Sequence, residues 1–345
     1  MKIARFSIST WLITISLILT IIFVVNSGEA GSIEGSTSPG KTTDLAVSLS
    51  DNRSLQNAES LLSVETGQNT LTIPNDPFFS EQWALDQMNI TGLWNGTRDN
   101  GEILIAVLDT GIDCDHEDLK GKIIAEVNFT DSPTVNDLNG HGTHIAGIIA
   151  ANADNGIGIA GLVPAGKLLN VKVADDYGSC QPATVARGII WAVDNGAKVI
   201  NVSLEITDPS AELEQAVNYA WSRGALIVAA AGNRGNDAAV YPAYYVNSIA
   251  VAATRPDNTL APLSNYGDWV DAAAPGFNIY STLPGNKYGH ETGTSFAAAC
   301  ITGLAADLFT IVSDTNNDGR LNDEVRHAIE SSFYRIDYAG LLALK

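Results

Sequence analysis

From Leu71 onward, apolar runs alternate with amphipathic stretches and glycine-rich turns. Ile103–Leu108 is apolar without a break, the pattern of a strand buried on both faces rather than one with a wet side. Leu168–Val173, Val199–Leu204, Ala225–Ala231 and Ile249–Ala253 are similar. Between them, His141–Ala151, Thr184–Asn195, Ala211–Arg223 and Ser295–Phe309 have helical character. Strands and helices at this spacing predict βαβ units and an α/β fold of three layers, a mostly parallel central sheet flanked by helices. Catalytic groups of such a sheet collect at the carboxyl ends of its strands.

The N-terminal pattern is different. Lys2 and Arg5 precede Phe6–Val25, a run without charge, and Gly28-Glu29-Ala30 follows. This reads as an export signal over residues 1–30, or as a retained membrane anchor, since residues 6–25 are just long enough to span a bilayer. Either reading places the remainder outside the cytoplasm, because the positive end stays inside. Residues 31–70, rich in Ser, Thr, Gly, Asn and Asp, are expected to form a flexible spacer or short pro-segment. Residues 71–345 then form the packed domain.

Composition narrows the functional classes. Apolar residues make up 45% of the 345, enough for a large core, and the net charge is −20. That charge, without any basic patch, excludes a nucleic-acid partner. It fits a solvated acidic surface, or carboxylates that hold cations such as calcium. Cys114, Cys180 and Cys300 are odd in number, so this is not a disulfide scaffold, and their spacing matches no zinc motif.

Three short segments carry candidate chemistry. Val107-Leu108-Asp109-Thr110-Gly111 ends a strand, Asn139-Gly140-His141-Gly142-Thr143-His144 begins a helix, and Gly293-Thr294-Ser295-Phe296 begins another. A serine hydroxyl is a weak nucleophile that needs a base, and the base needs an orienting carboxylate. Each residue alone has a plain structural reading: Asp109 as a turn cap, His141 as a core histidine, Ser295 or Thr294 as an N-cap. The pair His141/His144 lacks the intervening Glu of a zincin helix, and His144 reads as structural. In Ala229-Ala230-Ala231-Gly232-Asn233, Asn233 follows a strand and is either a turn residue or an amide donor to a developing oxyanion.

The order Asp, His, Ser, together with segments such as Asn75–Trp83, Val199–Leu204, Ala274-Pro275-Gly276 and Ser281–Gly289, resembles the subtilisin-like serine proteases, and within them the thermitase-like branch. The resemblance implies a subtilisin-like fold and an endopeptidase acting on polypeptides, expected to be a monomer. In it Asp109 is the orienting carboxylate, His141 the general acid and base, Ser295 the nucleophile and Asn233 the oxyanion donor. It implies that substrate lies between Tyr177-Gly178-Ser179-Cys180 and Ser203-Leu204-Glu205, with a specificity pocket bounded by Ser203, Leu204, Glu205, Ala230, Ala231 and Gly232. Glu205 stands where the family usually has Gly, and Arg234 adds a second charge at the rim, so the two are expected to pair or to disfavour basic substrate residues. Cys180 replaces another usual Gly, while Phe296, Ala299 and Cys300 replace Met, Pro and His. The segment before Leu71 is too short to resemble the family's folding prodomain.

The resemblance also implies a structural calcium site, with carboxylates from Asp76 and Asp118, an amide oxygen from Asn155, and carbonyls from Asn152, Ile157 and Ile159. A second candidate, Asp314–Asp318, copies the first half of an EF-hand loop, but Val325 stands where the bidentate acid belongs. It is either a weak calcium site or an acidic turn entering a helix at Asn322 or Asp323. A loop near Asp131 and Asp137 matches a further family calcium site in part. Two other functional classes remain open at this stage: a catalytically impaired calcium-stabilised binding protein, and a processing protease dedicated to one partner.

Overall fold

The computed structural model describes residues 73–90, 94 and 102–332. These belong to the unit Gly67–Lys345. The expected signal or anchor (1–30) and spacer (31–70) lie outside the described residues.

Seven strands form one sheet: β1 (Leu104–Asp109), β2 (Ile123–Asn128), β3 (Lys167–Lys172), β4 (Val199–Val202), β5 (Leu226–Ala230), β6 (Ser248–Thr254) and β7 (Ala272–Pro275). Their order is β2-β3-β1-β4-β5-β6-β7, and every pairing is parallel. From β1 the chain crosses to the edge strand β2, fills the gap with β3, then passes to β1's other side and builds outward through β4 to β7. Such a reversal of strand order opens a crevice at the carboxyl ends, and Asp109 stands there.

The helices are α1 (Trp83–Gln87), α2 (His141–Ala150), α3 (Pro182–Asp194), α4 (Ala211–Ser222), α5 (Thr294–Ile311) and α6 (Asn322–Ser332). A hairpin, β8 (Ile279–Leu283) with β9 (Lys287–Glu291), precedes α5.

Alternate residues of the central strands feed two cores. Ile105, Val107, Val199, Val228 and Val251 pack with Ile145, Ile149, Ala298 and Ile301 of α2 and α5. Ala106, Leu108, Ile200, Val202 and Ile227 pack with Val185, Ile189, Leu213 and Val217 of α3 and α4. Both faces are dry, which is why these strands read as continuous apolar runs. Among the described residues α5 is the one helix long and apolar enough to cross a membrane, but 83% of it is buried. It is apolar all round because the sheet, α2 and α6 pack against it.

Candidate active site

Asp109 ends β1 and is fully buried. His141 begins α2. Gly142 allows the two to meet: a Cβ there would lie 2.0 Å from the Gly111 carbonyl oxygen and 3.0 Å from the Asp109 Cβ. His141 Nδ1 donates to Asp109 Oδ1 at 2.8 Å, and the Thr110 N–H donates to the same oxygen at 2.7 Å. Burial by itself would disfavour the imidazolium, but the Asp109 charge and hydrogen bond, helped by Asp137 and Glu291, hold the His141 pKa above its ordinary value.

Asp137 organises the approach to His141. Its Oδ1 accepts from Thr110 Oγ1 (2.9 Å), Asn139 N–H (2.9 Å) and Gly140 N–H (2.8 Å). Its Oδ2 accepts from the Thr143 N–H (2.9 Å) and hydroxyl (2.7 Å). Thr110 Oγ1 in turn accepts from the Gly142 N–H at 3.1 Å. One buried carboxylate thus caps the start of α2 and ties it to the residue after Asp109. Lys172, fully buried at the end of β3, fastens the same region through the Thr110 carbonyl (2.6 Å), the Asn136 carbonyl (3.2 Å) and Asp176 (2.7 Å).

Ser295 lies in the first turn of α5, where backbone N–H groups are free of intrahelical partners. Its Oγ donates to the Ser203 carbonyl at 3.3 Å, a weak bond that a base can displace. The next residue, Phe296, sets its ring tilted 5.6 Å from His141 and edge-on 4.7 Å from His144. His144 is buried, bonds the Gly289 carbonyl through Nε2 at 3.2 Å, and has its pKa pushed down to about 3 by burial. It is a structural histidine.

Asn233 follows β5. Gly232 has φ +99°, and a Cβ there would meet the Asn265 amide at 2.5 Å, so glycine is needed at this turn. Asn233 Oδ1 accepts from the Thr294 N–H (2.8 Å) and hydroxyl (3.1 Å). Those bonds fix which end of the amide is the acceptor and leave Nδ2 as a donor beside Gly293 and the start of α5.

The remaining cleft residues surround these groups. Ser203, Leu204, Ala230, Ala231 and Gly232 are buried at the ends of β4 and β5. Glu205 Oε1 lies 2.5 Å from Arg234 Nε, a charge contact outside hydrogen-bond alignment, and Oε2 accepts from the Asn233 N–H at 3.4 Å. The expected pair is therefore formed. Gly178 and Ser179 lie in an exposed turn whose Asp176 carbonyl accepts from Asn139 Nδ2 at 3.3 Å. This puts the turn beside the loop that leads to His141. Cys180 is partly buried, and burial, with the charges of Asp109 and Asp175, pushes its thiol up to about 11. The Cys300 thiol is buried, and no disulfide links the three cysteines.

Asp76 and Asp118 are buried around the loop 152–159. Asp118 accepts from Asn155 Nδ2 and the Ile159 N–H, both at 2.8 Å, and Asp76 accepts from the N–H groups of Asp154 (2.9 Å) and Asn155 (3.2 Å). Burial, with the Asp76 charge adding to it, raises Asp118 to about 6. Two buried carboxylates facing one loop are hard oxygen donors of the kind a cation such as calcium takes, while the Asn155 amide in this structure turns its Nδ2 to Asp118 and its Oδ1 to the Ile157 N–H. Asn152 donates to the Asp118 and Lys120 carbonyls, and Ile157 takes its N–H to Asn155 Oδ1 at 2.7 Å, so both hold the loop in place. By contrast, the Asp314–Asp318 loop satisfies itself. Asp314 accepts from Asn317 and Gly319, Asp318 pairs with Arg320, and Glu324 caps Thr315 and Asn316. It is an acidic turn entering α6 at Asn322. Asp137, from the other acidic loop, serves as a cap.

An Asp–His pair at a strand end, a helix-start serine and an oriented amide, set on a parallel sheet, are the parts of an α/β serine hydrolase. Residues 100–335 match the family model described as the subtilase family. The chain is 44% identical over 269 residues to thermitase of Thermoactinomyces vulgaris, covering 77% of this chain and 94% of that protein. It is 43% identical over 274 residues to a thermophilic serine proteinase of Bacillus sp. (strain AK1), covering 79% and 67%. A solved protease structure from Pseudoalteromonas arctica PAMC 21717 superposes with a TM-score of 0.68 at 29% identity, covering 75% of this chain and 92% of that one. The chain belongs to the subtilase family of serine endopeptidases.

Proposed function

We propose that this chain is an extracytoplasmic endopeptidase that cleaves polypeptides through an acyl-enzyme on Ser295. His141 removes the Ser295 proton as the hydroxyl attacks the scissile carbonyl, then returns it to the leaving amine. Asp109 holds the imidazole by Nδ1 and stabilises its charged form. Asn233 Nδ2 and the α5 N-terminus receive the negative charge that develops on the carbonyl oxygen. Water deacylates the enzyme by the same route in reverse. The substrate lies extended between residues 177–180 and 203–205, a mode that favours unfolded or loop segments. The location follows from the charge pattern of residues 1–30. Asp76, Asp118 and Asn155, with carbonyls of the 152–159 loop, would hold calcium, which would neutralise the buried carboxylates and stiffen the loop.

The observation that carries the reading is the 2.8 Å bond between His141 and a buried Asp109, beside an amide that Thr294 has turned donor-outward. A fluorophosphonate probe that labels the wild type but not Ser295→Ala tests it. Labelling separates an active enzyme from an inactive binding protein. Cleavage of denatured casein separates a broad endopeptidase from one dedicated to a single partner.

A further inference from the structure

We propose that Glu205 and Arg234 form a clasp across the substrate side-chain crevice, so that the enzyme selects small, uncharged residues at the position whose carbonyl is attacked. The proposal rests on the acyl-enzyme reading above and names the substrate class of that site.

β4 and β5 are neighbours whose last paired residues are Val202 and Ala229. Beyond that pair, Ser203–Glu205 and Ala230–Asn233 form two walls. The nucleophile touches one wall, with Ser295 Oγ on the Ser203 carbonyl, and the amide of Asn233 tops the other. A carbonyl carbon bonded to Ser295 Oγ, with its oxygen toward Asn233 Nδ2, must send its own residue's side chain between those walls.

Glu205 is directed into that space by its neighbours. Leu204 and Ile206 both join the core beneath α3 and α4, each 7% exposed. Successive residues of an extended segment point to opposite sides, so Glu205 faces away from that core. Ile206 is pinned by two backbone bonds with Tyr241, at 3.2 and 2.8 Å, which fixes the root of Glu205. The partner's root is fixed as well: the Arg234 N–H donates to buried Asn265 at 2.9 Å and the Gly235 N–H to the Leu263 carbonyl at 2.8 Å. The carboxylate therefore spans from one wall to the other, reaching both the Arg234 guanidinium and the Asn233 N–H.

Two consequences follow. A bulky side chain entering the crevice must displace the clasp. A charged side chain gains nothing from a pair that is already neutral: a basic one meets Arg234, and an acidic one meets Glu205.

The test is kcat/KM on peptides that differ only at that residue, carrying Ala, Phe, Lys or Glu, with fluorophosphonate labelling run in parallel. The wild type is expected to prefer Ala over the other three. Glu205→Gly should shift the Phe-to-Ala ratio toward Phe by about tenfold or more, a typical discrimination for a change in pocket volume. Arg234→Ala should shift the Lys-to-Ala ratio toward Lys, because Glu205 is left unpaired at the crevice. A wild type that prefers Phe or Lys, or ratios unmoved in both variants, would overturn the clasp while labelling at Ser295 left the acyl-enzyme reading intact. A wild type that neither labels nor cleaves would remove both.

Discussion

Thr294 binds Asn233 twice, through its N–H at 2.8 Å and its hydroxyl at 3.1 Å. The same hydroxyl accepts the Gly232 N–H at 3.0 Å, so the first residue of α5 is joined to both residues of the turn after β5. Thr294→Val keeps the N–H and loses the hydroxyl. It is expected to lower kcat about tenfold with little change in KM, because Asn233 acts on charge that appears only in the transition state. Asn233→Ala, which removes the donor altogether, is expected to lower kcat by about 10²- to 10³-fold. Steady-state kinetics on one peptide checks both.

Asp137 makes a contrasting prediction about structure. Asp137→Ala leaves five donors, in Thr110, Asn139, Gly140 and Thr143, without their buried acceptor. The cost is expected to be about 3–5 kcal/mol of stability, read as a lower Tm. A chelator should not reproduce this loss in the wild type, because the carboxylate serves three backbone N–H groups and two hydroxyls. The comparison to make is Asp137→Ala against wild type, each with and without chelator: the difference between them should persist in both conditions.

The pH profile follows from His141. Its pKa lies above the ordinary imidazole value because the Asp109 charge and bond outweigh the effect of burial. The base works only when neutral, so kcat/KM should fall on the acid side through an apparent pKa above about 6.5. Asp109→Asn removes the raising charge. It should move that limb to lower pH and reduce kcat by about 10⁴-fold.

Asp118 gives a test for calcium whose sign reverses with the ion. Its folded pKa is raised from 3.8 to about 6, so between those values the folded state binds more protons than the unfolded one. Stability in chelator should therefore fall as pH rises through that window, by on the order of 3 kcal/mol in total for this group. Above pH 6, Asp118→Asn is expected to raise Tm by a few degrees in chelator and to lower it in excess calcium, where a ligand is lost. Thermal melts under the two conditions should cross; parallel shifts would count against a cation at this loop.

The sheet was legible where burial on both faces leaves continuous apolar runs, as in β1, β4, β5 and β6. Two edge strands were not. β2 has exposed and half-buried residues, and β7 is only Ala272–Pro275, too short and too small-sided to stand out. The polar hairpin β8–β9 was visible as a family match but not as a hairpin. Asp109, His141, Ser295 and Asn233 stand out in the sequence because their order and local sequence are distinctive, and the fold joins Asp109 to His141 and Asn233 to Thr294. Asp137 was not, since an aspartate in an acidic loop resembles a cation ligand until the fold brings Thr110 and the α2 N-terminus onto it. Lys172 was hidden inside a strand pattern, and two of its three acceptors, the Thr110 and Asn136 carbonyls, come from other parts of the chain. For Asp314–Asp318 the missing acid at Val325 was the informative sign, and Glu324 one residue earlier became the cap that closes the turn.

The most direct test of the account is covalent labelling of the purified protein with a fluorophosphonate, located by peptide mapping and repeated on Ser295→Ala and His141→Ala. The account predicts stoichiometric modification of Ser295 in the wild type, none in Ser295→Ala, and a labelling rate lowered by orders of magnitude in His141→Ala. Absence of labelling in a folded wild type, or labelling at another residue that persists in Ser295→Ala, would contradict it.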